Sequence, residues 1–361
     1  RSEPQSSMED LLFTYLLGVV SFGFLVLGAW CVGEGGEILG EKYDASVVGG
    51  LIIAWLNTAP EAIFFVTALH SNNPSFAVGA VAGSTIVVST IAVGACLIIG
   101  SKARASNGFL LQPGVKTQCV ILCMSCVVPV GIVLLGFNPF CALVGIASYL
   151  AFIVYSLQGE TVEETLKKDE REEEKDLELG QIEVFESADE HDQPTWKGVA
   201  YLMSGALCIF IFSTPFIQSV VVVAEQLEIS STLLAFFLAP IASEAPEILE
   251  AISLSKKGHS QSINVAFSEL IGGTVTKTTL LCGILCVYGV FRDFVWLSPN
   301  YEVSLLLLAL CAGAAGSIGA WLSPLTSRHG VALLCLFVFT GILQVWFNAT
   351  PLPEIIELAA T

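Results

Sequence analysis

The sequence predicts an all-α membrane protein with ten transmembrane helices arranged as two inverted five-helix repeats. Three observations predict it. Of the 361 residues, 54% are apolar, and the mean hydropathy is +0.75, more than a water-soluble chain of this length carries. Ten segments hold about 20 largely apolar residues each, the length that crosses a bilayer. An acidic stretch at 159–194 divides them five and five.

In chain order the expected spans are 11–33, 45–70, 75–100, 116–137, 139–158, 196–224, 231–255, 261–291, 300–322 and 331–348. Residues 1–10 form an N-terminal tail, in which Arg1–Ser7 read as an appended or processed end. The first repeat covers 11–158 and the second 195–348, followed by a C-terminal tail at 349–361. Between the repeats, residues 159–194 carry 15 acids against Lys167, Lys168, Arg171 and Lys175. So polar a stretch reads as a solvated linker, with a short helix at 160–178. It accounts for most of the net charge of −18. A regulator, Ca²⁺ among the options, is one reading of the linker, but the ligand spacing of an EF-hand is missing. No basic patch exists, which excludes nucleic-acid binding.

Basic residues set the orientation. Twelve fall in loops on one side: Lys42, Lys102, Arg104, Lys116, the four linker bases, Lys197, Lys256, Lys257 and Arg328. The other side holds Arg1 and Arg292. The linker is therefore expected to be cytoplasmic, with both termini opposite. An odd number of spans per half inverts the second half relative to the first.

Two short motifs carry the chemistry: Asn57-Thr58-Ala59-Pro60-Glu61 and Ser243-Glu244-Ala245-Pro246-Glu247. Each sits inside a long apolar segment. A proline in a helix removes its own N–H and pushes away the carbonyl four residues back, freeing Leu56 in one motif and Ala242 in the other. At membrane depth such carbonyls need a partner. Next to each stands a carboxylate, with hydroxyls on Thr58 and Ser243 nearby. An all-oxygen shell of this kind suits a hard divalent cation such as Ca²⁺. A kinked helix whose glutamate bonds its neighbour explains one such motif as well; two at matching positions favour ion binding. Gly83-Ser84-Thr85-Ile86 and Gly272-Gly273-Thr274-Val275 follow the motifs in the same order, and Gly94 matches Gly283. The glycines permit close helix approach.

Six ionisable groups lie within the spans: Glu61, Glu244, Glu247, Glu250, Glu269 and Lys277. At about 3 kcal/mol each near the bilayer centre, they exceed the usual stability margin. They must face a cavity, pair, or bind ions. Glu250 shares a face with Glu247 and reads equally as lining a cytoplasmic vestibule or pairing across helices; Glu269, one turn before the glycine pair, is a candidate secondary ligand. Glu34, Glu37, Glu41 and Asp44 read as a solvated loop. Eleven cysteines are scattered through apolar sequence and read as free thiols. Cys119, Cys123 and Cys126 share a helical face, but no His or acid accompanies them as a metal site requires. No Asp lies within a span and no His lies at mid-membrane, which argues against an intramembrane protease; the protein is not read as an enzyme.

The motif pair resembles the α-repeats of the calcium/cation antiporter superfamily, which includes sodium/calcium, potassium-dependent and proton/calcium exchangers. The resemblance is sharp near 50–94 and 236–283. It implies that Glu61 and Glu247 are the central Ca²⁺ ligands, with Thr58, Ser84 and Ser243 near ion sites and Asn57, Glu244 and Thr274 in the same shell. It implies alternating access, with the first and sixth spans sliding past the rest. It implies Ca²⁺ and a monovalent counter-ion, H⁺ or Na⁺, as cargo, no cofactor, and the lipid bilayer as partner. Coupling to H⁺ is the leading expectation, because a buried carboxylate exchanges a proton for a metal, and because Ala precedes Pro in both motifs, as in the proton-coupled branch. Thr58 points the other way, toward Na⁺. A cation channel or a non-transporting scaffold is the more distant alternative.

Several positions depart from that pattern. Asn57 and Ser243 stand where glycine is usual, Glu244 adds a carboxylate, and Val88 and Lys277 take the last Asn/Asp positions. Lys277 is expected to couple charge, pairing with Glu244 in place of one bound monovalent cation; the plainer reading is a lysine snorkelling away from the site.

Overall fold

The computed structural model describes residues 8–40, 42–43, 45–70, 74–104, 108–157, 194–226, 236–237, 239–294 and 300–349. Residues 159–193 of the acidic segment lie outside these, and with them the short helix and the regulator suggested there. So do both tails beyond Met8 and Ala349. Among the described residues the protein is all-helical, without a strand; one isolated antiparallel bridge joins Phe109 to Leu325.

The described helical runs follow the expected segments closely. They are α1 (Met8–Gly40), α2 (45–70), α3 (74–103), α4 (Pro113–Leu135), α5 (Pro139–Leu157), α6 (Thr195–Gln226), α7 (239–256), α8 (Ser260–Phe291), α9 (Asn300–Trp321) and α10 (Ser327–Ala349). Eight of them are long and apolar enough to cross a membrane; α2 and α7, which carry the two Pro-Glu motifs, are not among the eight. Large apolar side chains remain exposed, Phe13, Val19, Leu134 and Phe291 among them, as expected for surfaces facing lipid. The protein is a multi-pass integral membrane protein.

Local chemistry sets the ends. Pro113 opens α4 in the first turn, where its missing N–H costs nothing, and Gly136 closes it with φ +67°. The Asn138 side chain caps α5 by accepting the Phe140 N–H at 2.8 Å. Gly258, at φ +75°, ends α7 and lets α8 start two residues later. α1 runs further than expected. Glu34 and Glu37 lie on its last turns rather than on a loop, and both bond Lys257. Glu41 and Asp44 lie outside the described residues.

Among the described residues, π-helical turns interrupt the helices at Val48–Ile53 in α2, Val88–Ala92 in α3 and Lys277–Leu281 in α8. Such turns gather at functional sites. The last two start at the positions that the motif alignment pairs, 189 residues apart.

Glycines fix how the helices meet. α1 and α6 pack antiparallel, Gly28 against Gly205 and Gly35 against Gly198, with Phe24 stacked on Phe212 at 4.3 Å. Across the halves the contacts come in matched pairs. A methyl at Gly83 of α3 would fall 2.6 Å from the Phe236 carbonyl oxygen, just before α7, and one at Gly272 of α8 would run into the Gly50 backbone of α2. Gly94 likewise meets Gly330, while Gly283 meets Gly145. The three clustered cysteines of α4 serve packing. Cys119 fits against Gly319, Cys123 against Gly316 and Cys126 against Gly313, all on α9.

Candidate cation site

The two motifs do not fold alike. α2 stays helical through Asn57–Glu61, with its π turn one turn earlier. α7 breaks at Glu244, which sits in a turn (φ −88°, ψ 0°), and Pro246 then lies in the first turn of Ala245–Lys256. Pro246 therefore starts a helix, where the expectation was a kink within one. Such a break suits the proline, which is pre-organised for a first turn, and a turn at Glu244 spares the clash with the preceding carbonyl.

All five span carboxylates and the lysine come together. Lys277 is fully buried. Its ammonium donates to Glu244 Oε2 at 2.8 Å, reaches Glu61 Oε2 at 3.1 Å, and lies 3.9 Å from Glu247 Oε2. It does not snorkel. Ser84 on α3 donates to the other Glu244 oxygen at 2.6 Å, and Ser243 approaches that same oxygen at 3.4 Å while bonding the Pro240 carbonyl. Glu244 is thus held by both halves of the chain.

A second set adjoins the first. Asn57 Nδ2 donates to Glu250 Oε2 at 2.9 Å and to Glu269 Oε1 at 2.7 Å. Both glutamates are buried from solvent. Sequence reasoning placed Asn57 in the ion shell and missed this amide bridge, which ties α2 to α7 and α8 at once. Thr58 donates to its own helix at the Ala54 carbonyl, and Thr274 does the same to Leu270. Thr58 and Glu247 both face Gly273, whose missing side chain leaves the space between them.

Buried acceptors remain without a hydrogen-bond donor: Glu61 Oε1, Glu247 Oε2, Asn57 Oδ1, Glu250 Oε1 and Glu269 Oε2. Such atoms are costly unless something fills the gap, and a cation is what carboxyl and amide oxygens accept best. Among the described residues no group of acidic, Cys or His side chains is set as on a resident metal; Glu61, Glu244 and Glu247 lie 3.1, 2.8 and 3.9 Å from one ammonium instead. Gln118 of α4 was also missed. Its amide donates to the Ser46 carbonyl at 2.8 Å and accepts from Ser268 at 2.5 Å, pinning α2 to α8 beside Gly50. A lone Gln within an apolar span is the signal that would have found it.

Comparison with known proteins bears on the fold and the family. Membrane protein MJ0091 of Methanocaldococcus jannaschii, uncharacterized, is 20% identical over 331 residues, which cover 90% of this chain and 94% of that protein. The sodium/calcium exchanger NCL1 of Oryza sativa subsp. japonica is 24% identical over 131 residues, 36% of this chain and 22% of its own length. The match thus spans about a quarter of the plant relatives' length. A solved structure of the sodium-calcium exchanger NCX_Mj, soaked with Na⁺ and Sr²⁺, superposes with a TM-score of 0.68 over 91% of this chain and 98% of its own; at 15% identity the likeness is one of fold. The pattern of the sodium/calcium exchanger protein family matches residues 13–158 and 197–346, and the chain belongs to that family.

Proposed function

We propose that this protein is a secondary active cation antiporter that exchanges Ca²⁺ for H⁺ by alternating access, with Glu61 and Glu247 as central ligands. One observation carries the proposal. Glu61 and Glu247, 186 residues apart in the chain and one from each half, meet at a single buried point, 3.1 and 3.9 Å from the same ammonium. To these ligands the proposal adds oxygens of Thr58, Ser84, Ser243, Asn57, Glu244 and Thr274.

The donor set supports H⁺ as the coupling ion. Five carboxyl groups lie together there, three on the ammonium and two on the Asn57 amide, and carboxyl groups carry protons. Na⁺ is the second reading, favoured by the names of the plant relatives and of NCX_Mj. We further infer that the ten runs form two inverted repeats. The antiparallel α1–α6 pair supports this, as do the matched glycine contacts and the π turns 189 residues apart. The loop charges then put the linker in the cytoplasm. A long α1–α6 seam lined with glycine suits a pair that slides as one body.

The test is Ca²⁺ uptake into proteoliposomes under an imposed pH or Na⁺ gradient. Uptake is expected only with an opposing gradient, and it is lost in Glu61→Gln and in Glu247→Gln. Uptake without any counter-gradient indicates a channel and refutes the reading; the gradient that drives it identifies the partner ion.

A further inference from the structure

The ammonium at the centre of a cation site is the least expected feature of the molecule. Three carboxylates reach it: Glu61 from α2, and Glu244 and Glu247 from α7. Lys277 lies at the start of the α8 π turn, and its pair in the other half, Val88, opens the matching turn without a charge. Glu244 is unmatched in the same way, since Thr58 holds its place in the first motif. The lysine and the added glutamate therefore arrive together, on one half alone. A primary ammonium has three N–H donors, a good match for three carboxylates, and its four-carbon stem cannot leave the site as a free ion does.

Resting on the antiporter reading above, we propose that Lys277 is a built-in cation that makes the exchange electroneutral, two monovalent ions for one Ca²⁺. The charge count is short. Glu250 and Glu269, both bonded to the Asn57 amide, enter the count as neutral carboxyl groups; Glu61, Glu244 and Glu247 carry −3, and the tethered ammonium returns +1. The remaining −2 is balanced by one Ca²⁺ on one leg of the cycle and by two monovalent ions on the other. Buried charge left unbalanced is expensive, so the loaded states that cross the membrane are the neutral ones. Without the lysine the same oxygens hold −3, and Ca²⁺ alone no longer fills them. A vacant monovalent position appears beside the divalent ion. The count holds whether the coupling ion is H⁺ or Na⁺.

Two measurements test the proposal. In proteoliposomes clamped with K⁺ and valinomycin, the Ca²⁺ flux of the wild-type protein is expected to be the same at 0 and −100 mV. A flux that changes several-fold with the imposed potential overturns the proposal. In detergent with saturating Ca²⁺, replacing N-methylglucamine by Na⁺ or K⁺ at equal ionic strength is expected to leave the wild-type melting temperature in place. The same exchange is expected to raise that of Lys277→Gln by at least ~4 °C, because a free cation then binds where the amine stood. No salt-specific rise overturns the proposal. A variant that cannot be recovered in any monovalent salt overturns it too, because a free ion has then failed to replace the amine. Absence of wild-type Ca²⁺ flux under every gradient refutes the antiporter reading instead, and the melting comparison still judges Lys277.

Discussion

Asn57→Ala isolates the amide bridge. The Asn57 side chain is 7% exposed and donates to two buried carboxyl groups, Glu250 at 2.9 Å and Glu269 at 2.7 Å. A hydrogen bond between neutral groups contributes about 0.5–1.5 kcal/mol, so losing both is expected to destabilise the protein by about 1–3 kcal/mol. Large chains lose roughly 2 °C in Tm per kcal/mol, which places the drop at roughly 2–6 °C. Thermal unfolding of purified protein in detergent, followed by tryptophan fluorescence, reads it directly. A double-mutant cycle sharpens the test. If the bond to Glu269 exists, Asn57→Ala and Glu269→Gln are non-additive by about 0.5–3 kcal/mol. A single variant melting within a degree of wild type, or a strictly additive pair, refutes the bridge.

Further expectations concern packing and charge. Gly272→Ala drives a methyl into the Gly50 backbone and is expected to destabilise by about 1–3 kcal/mol. Gly273→Ala meets only ordinary contacts with Thr58 and Glu247 and is expected to melt near wild type; parallel melting curves separate the two. Gln118→Leu removes the bonds to the Ser46 carbonyl and the Ser268 hydroxyl, with an expected loss of about 1–3 kcal/mol measured in the same way. Lys257 lies between α7 and α8. Burial opposes its charge, yet the hydrogen bonds and attraction of Glu34 and Glu37 outweigh burial and raise its pKa. A raised value in the folded state means that this contribution is complete below the ordinary lysine pKa and is lost as pH climbs through the folded one. Lys257→Met is therefore expected to lower the melting temperature at pH 7, with the difference from wild type closing only in strongly alkaline buffer.

How much of this was legible beforehand varies by element. Hydropathy located each helical run to within a few residues wherever the run is described, because a bilayer demands apolar length. α1 was the poorest estimate. Its last turns carry Glu34 and Glu37, which read as loop until Lys257 is brought to them from 220 residues away. The Pro-Glu motifs identified the site through proline chemistry and the cost of buried charge. They did not reveal that α2 runs through its proline while α7 breaks at Glu244, since that depends on what each helix packs against.

Taken alone, the chain determined the membrane class, the repeat of motifs and the identity of the buried ionisable residues, all of which follow from local composition and from solvation energy. The tertiary structure decided the pairing. Which carboxylates face Lys277 and which face Asn57, and the close approach of Gly272 to Gly50, depend on contacts between segments far apart in the chain. A charge within a span must find a partner, and only the packed helices specify which one.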